Sequence, residues 1–162
     1  MNARHVLVVA YGNPLRGDDG LAWRSAEELA KKGPPANVEI LSRHQLAPEL
    51  AENLTRYDAV IFLDAAAPQL ADTRPGEIRT VEISARDAQQ VAASAFCHQF
   101  SPATLLALAV RLYHARPRAF CVTMTGENFD AGERLSPAIE AALPEFVGRV
   151  EKLIQELMEP VR

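Results

Sequence analysis

A nine-residue stretch, Gly12-Asn13-Pro14-Leu15-Arg16-Gly17-Asp18-Asp19-Gly20, does most to limit what this chain can become. It follows an apolar run, His5 to Tyr11, and precedes a helical pattern from Leu21 to Lys32. Strand, glycine-rich turn and helix in that order open an α/β unit, and ligands of such folds sit beyond the carboxyl ends of the strands. A loop of this kind usually offers backbone N–H groups to a phosphate. Here two adjacent carboxylates, Asp18 and Asp19, stand at the helix start and would repel one. The stretch points to a cationic ligand instead.

The chain beyond the loop keeps alternating. Val6-Leu7-Val8-Val9-Ala10 reads as a strand covered on both faces. The following helix is expected to bury Ala22, Ala26, Leu29 and Ala30 and to stop at Lys31-Lys32-Gly33-Pro34. Asn37 to Leu41 gives a second strand and Ala47 to Leu54 a short helix. Ala59 to Asp64 is the third strand, apolar until it closes on a carboxylate. Glu77 to Ile83 mixes apolar and charged residues, as a half-exposed edge does. The link before it, Ala65 to Gly76, is too short for a crossover helix, so this strand should run antiparallel to its neighbour. Ser84 to Phe100 has weak periodicity and reads as a loop with a helical turn near Ala88 to Ala95.

Ser101-Pro102 and Ser136-Pro137 are helix starts, with Ser as cap and Pro at the first helical position. The first of these helices is expected to bury Leu105, Leu108, Ala109 and Leu112, and Ala119 to Thr125 is the last strand. Pro144 should kink or restart the final helix, whose stripe is Phe146, Val147, Val150, Leu153, Ile154, Leu157 and Met158.

These elements make one α/β domain spanning residues 1–162. The expected architecture has three layers: a twisted, mostly parallel five-stranded sheet, helices on both faces and one antiparallel edge strand. In a flavodoxin-like strand order the ligand crevice lies between the first and third strands. Asp18 and Asp19 follow the first strand and Asp64 ends the third, so acids from separate parts of the chain meet there. The formal net charge of −4, with dispersed Lys and Arg, gives no footprint for nucleic acid or an anionic membrane. No apolar run approaches the ~20 residues that span a bilayer, and the N-terminal residues lack a signal-peptide pattern. Cys97 and Cys121 stand far apart and read as free thiols of a cytoplasmic protein.

Asp18 has a simple task available, starting the helix and complementing its dipole. Asp64, closing an apolar strand, must be solvated, paired or metal-bound. Two unpaired carboxylates in one crevice would push one pKa up, and a divalent cation removes that repulsion. Of the four histidines, His5 starts a strand at the opposite end and His114 ends a helix. His44 could reach the crevice rim, and His98 sits in a loop before a capped helix. Two aspartates and a histidine leave metal positions open, and imidazole suits nickel, zinc and iron alike. There is no G-x-G-x-x-G, Walker or G-x-S-x-G pattern, and the adjacent Cys97-His98 pair is poorly placed for nucleophilic catalysis.

The glycine loop, Phe62-Leu63-Asp64-Ala65, His98-Gln99 and Thr125-Gly126-Glu127 together resemble the hydrogenase maturation endopeptidases, over nearly the whole chain. The resemblance implies a protease that recognises nickel in the precursor of a hydrogenase large subunit and trims its C-terminal extension. It places the metal-binding role on Asp19, Asp64 and His98, with Asp19 and Asp64 as the candidates for catalysis. The nickel would be substrate-borne, with zinc or cadmium able to stand in for it. Many members carry Gly-Gly-Thr where this chain has His44-Gln45-Leu46, a departure that implies a different substrate choice and makes His44 a candidate to join the site. Two other functions compete: a non-catalytic nickel-sensing chaperone on the same scaffold, and a flavin or nucleotide binder suggested by fold analogy.

Overall fold

The computed structural model describes residues 4–68, 74–87 and 100–160. Five strands form one sheet: β1 (Val6–Tyr11), β2 (Val38–Arg43), β3 (Ala59–Ala66), β4 (Ile78–Ile83) and β5 (Arg118–Thr125). Their spatial order is β2-β1-β3-β5-β4. β1 is parallel to β2 and β3, and β3 to β5, whereas β4 lies antiparallel against β5 at the edge. The short link between β3 and β4 thus has the consequence expected of it.

Side chains on successive strand residues point to opposite faces, and here both faces are covered. Val6, Val8 and Ala10 of β1, with Ile61 and Leu63 of β3, pack against α1 (Leu21–Lys31) and the C-terminal helix. Leu7, Val9, Val60 and Phe62 face the other core, shared with the short α2 (Leu50–Asn53) and with α3 (Pro102–Tyr113). The C-terminal helix, α4, runs from Pro137 to Met158. Three layers result, with continuous apolar runs in the central strands because neither face meets water.

The helix starts follow their caps unequally. Ser101 Oγ accepts from the Thr104 N–H at 3.1 Å, as an N-cap should. Ser136 precedes α4 but makes no capping bond, because its hydroxyl is used elsewhere. His114 closes α3 in the left-handed region at φ 56.

Several details differ from the sequence reading. β3 runs on to Ala66, so Asp64 lies inside the strand rather than ending it. β2 is shifted to Val38–Arg43, and α2 is a single turn continued by a 3₁₀ turn, Leu54–Arg56. In α1, Ala30 is exposed and Ser25 is buried in its stead. The Ser25 hydroxyl donates to the Leu21 carbonyl at 2.8 Å, which satisfies it inside the core. In α3, Leu106 is buried and Leu112 is 57% exposed, since the last turn of the helix emerges from the layer. Leu112→Ser is accordingly expected to change unfolding free energy by no more than about 0.5 kcal/mol in a urea titration.

Pro144 does not restart α4, which continues through it for 22 residues. Proline removes one helical hydrogen bond, to the carbonyl four residues earlier. Both Pro144 and Glu140 are on the exposed face, where water serves that carbonyl. The helical turn expected near Ala88 to Ala95 lies outside the described residues.

Candidate functional site

A cleft of about 1430 Å³ opens at the carboxyl ends of β1 and β3, lined among others by Tyr11, Asn13, Arg16, Asp19, His44 and Asp64. The parity of β3 explains how Asp64 reaches it. Val60 and Phe62 face the α2–α3 side, and Asp64, two residues on, emerges from the same face just beyond the apolar stretch. The β1–β3 register pairs Val9 with Phe62 and Ala10 with Leu63, which brings Tyr11 beside Asp64.

This position leaves Asp64 poorly solvated. Burial pushes its carboxyl up to about 7, helped by the nearby Asp19 charge and opposed by hydrogen bonding from Tyr11 and the Ala65 N–H. Burial and the same carboxylate raise the Tyr11 hydroxyl far above its ordinary range. The Cys121 thiol on β5 is also pushed up to about 12, by burial and then by Asp64. Cys121 is therefore a protonated thiol at neutral pH, which argues against nucleophilic work.

Asp19 arrives from the glycine loop. The loop turns through a 3₁₀ segment, Gly17–Gly20, that leads directly into α1. The Asn13 N–H donates to Asp19 Oδ2 at 2.7 Å, which fixes the carboxylate over the start of the loop. Gly12, at φ +143, passes so close that a Cβ there would lie 2.3 Å from the Asp19 carbonyl oxygen. Trp23 staples the base of the loop to the end of β2: its indole N–H donates to the Gly12 carbonyl at 2.9 Å and to the Arg43 carbonyl at 3.1 Å. The His44 ring lies against Trp23, with centroids 5.2 Å apart and planes tilted by 57°. His44 thus stands at the cleft rim.

Asp18 does not do what was expected of it. It makes no cap to α1 and is fully buried. Its carboxylate accepts from the Glu127 N–H at 2.8 Å, the Asn128 N–H at 2.9 Å, the Ser136 N–H at 2.7 Å and the Ser136 hydroxyl at 2.7 Å. Burial alone would raise its pKa, but these bonds outweigh it and hold the group below the usual carboxylate range. Asp18 thereby ties the glycine loop to the loop after β5, which forms another wall of the cleft.

Of the three residues singled out for metal binding, Asp19 and Asp64 share the cleft. His98 lies outside the described residues, as does Cys97. Among the described residues no three His, Cys, Asp or Glu side chains form a group that could hold a metal ion. His5 is at the far end of the sheet, where its N–H donates to Asp58 at 2.8 Å. Tyr11 is the site residue the sequence did not single out. Ending an apolar run, it looked like a strand terminus, and only the pairing with β3 reveals its place.

A family model described as hydrogenase maturation protease matches residues 23–153, beginning just after the glycine loop. No curated protein matches the chain. Among solved structures, the hydrogenase maturating endopeptidase HybD from E. coli is 25% identical, with 94% of this chain and 93% of that one covered and a TM-score of 0.74. A hydrogenase 2 maturation peptidase from Thaumarchaeota archaeon SCGC_AB-539-E09 is 25% identical over 94% of this chain and 99% of its own, at a TM-score of 0.70. The hydrogenase maturation protease HycI from Thermococcus kodakarensis KOD1, at 17% identity, has the same fold: coverage is 98% and 95%, and the TM-score 0.72.

Proposed function

The chain belongs to the hydrogenase maturation protease family, a family of peptide-bond hydrolases, and from that premise we propose that it removes the C-terminal extension from a hydrogenase large-subunit precursor after reading nickel installed there. The observation that carries this reading is the convergence of Asp19 and Asp64 on one cleft, with Asp64 pushed up to about 7. A carboxylate disfavoured by burial and by a neighbouring carboxylate gains more than usual from a cation. Nickel bound to the substrate's own ligands supplies one without a resident metal. It enters as part of the substrate, so two carboxylates suffice as an incomplete ligand set. In this reading His98 is the third ligand, and zinc or cadmium can replace nickel in binding.

Asp64 is the residue we assign to proton transfer. A group poised near neutrality can take a proton from the attacking water on one carboxylate oxygen, while its other oxygen and Asp19 face the cation. The mouth of the cleft, with His44 and Gln45 at its rim, would meet the precursor surface around the extension. No described helix is long and apolar enough to cross a membrane. We place the activity in the cytoplasm, consistent with Cys121 being a free thiol.

Incubation with nickel-loaded precursor, followed by intact-mass measurement, tests the proposal. A mass loss confined to the C-terminus is the expected result. A precursor that binds but stays intact would make the protein a nickel-sensing chaperone.

A further inference from the structure

We propose that Asp18 is a positioning residue for Asp19: it locks the glycine loop onto the loop after β5 and so presets the orientation of the Asp19 carboxylate. This rests on the reading of Asp19 as a cation-contacting residue. Asp18 is fully buried and makes no ion pair with a cation among the described residues. Its charge is balanced by four N–H and O–H dipoles, all from residues 127–136. A buried carboxylate survives only when its lone pairs are satisfied in this way.

Backbone contacts reinforce the lock on both sides of Asp18. The Gly17 N–H donates to the Gly132 carbonyl at 2.8 Å, the Asp18 N–H to the Asn128 carbonyl at 2.9 Å, and the Gly132 N–H to the Leu15 carbonyl at 2.8 Å. Gly17 has φ +55, and a Cβ there would stand 2.5 Å from the Asn128 carbonyl oxygen, so the loops touch at the main chain. Asp19 is the next residue along, and among the described residues its side chain bonds to the Asn13 N–H alone. Where Asp18 is held therefore sets the backbone from which Asp19 starts, and the Asn13 N–H fixes the carboxylate from there. In Asp18→Asn the side-chain NH₂ would confront N–H donors, leaving at least one of them buried and unpaired. The loop would shift, and Asp19 with it.

The Asn13 amide reports Asp19 without any substrate. In the ¹⁵N-labelled full chain, Asp18→Asn is expected to move the Asn13 resonance and speed its hydrogen exchange, leaving Leu7 in β1 unchanged. Leu153→Ala, a core truncation in α4, should leave Asn13 where it is. On nickel-loaded precursor, at a temperature where both variants remain folded, Asp18→Asn should lose about 10–100-fold in kcat with KM little changed. Leu153→Ala should keep its kcat. An unmoved Asn13 amide in Asp18→Asn, or an equal loss of kcat in Leu153→Ala, would overturn the proposal. A wild type inactive on precursor would count against the proposed function, and the amide comparison would still decide the role of Asp18.

Discussion

Asp64→Asn should reduce processing of a nickel-loaded precursor by more than about 100-fold while leaving the circular dichroism spectrum unchanged. The amide keeps the size of the carboxylate and can still accept from Tyr11 and the Ala65 N–H. It cannot neutralise a cation or take a proton from water. The same change should stabilise the protein, and the sign follows from the raised pKa. Asp64 titrates at about 7 when folded, against an ordinary value of 3.8. Between those values the folded state binds the extra proton, so stability falls as pH rises from about 4 to about 7. Above that window the penalty is at most about 4 kcal/mol, less whatever the cleft water screens. Asp64→Asn should therefore show a higher Tm than wild type at pH 8 and the same Tm at pH 4. Equal Tm values at pH 8 would mean that Asp64 is solvated and ordinary. At precursor concentrations well below KM, processing by the wild type should rise with pH through about 7, as Asp64 of the free protein loses its proton.

Gly12→Ala should damage both fold and function. At φ +143 an L side chain is strained by roughly 1–3 kcal/mol. Its Cβ would also stand 2.3 Å from the Asp19 carbonyl oxygen and 3.2 Å from Asp19 Oδ1. The carbonyl belongs to a 3₁₀ turn fixed by the Arg16 and Asn128 contacts, so it cannot simply yield. With the overpacking included, the cost is about 2–5 kcal/mol, measurable by urea unfolding. Because the clash falls on Asp19, processing should drop further than loss of folded protein explains. Gly148→Ala is the contrast: this helical glycine is exposed with nothing near its Cβ, and alanine there should stabilise by about 0.5–1 kcal/mol.

The residues that reached the cleft by strand topology were legible in the sequence. Asp64 and Asp19 could be brought together because alternating elements and link lengths fix which strands are neighbours, and β1 does lie between β2 and β3. The antiparallel edge was legible for the same reason. Asp18 was not, because its partners lie 109 to 118 residues away and most are backbone N–H groups, which carry no side-chain signature. Tyr11 was hidden by its setting in an apolar run. Pro144 misled because propensity describes an isolated helix, whereas the buried stripe of α4 holds this one together through its exposed proline.

In the proposed function the cleft reads nickel before the peptide bond is cut. The direct measurement compares cleavage of one precursor preparation in nickel-loaded and nickel-free forms, with precursor in excess over the protein. Release of the C-terminal extension is expected from the loaded form alone, and Asp64→Asn should abolish it. Equal cleavage of the nickel-free form would contradict it.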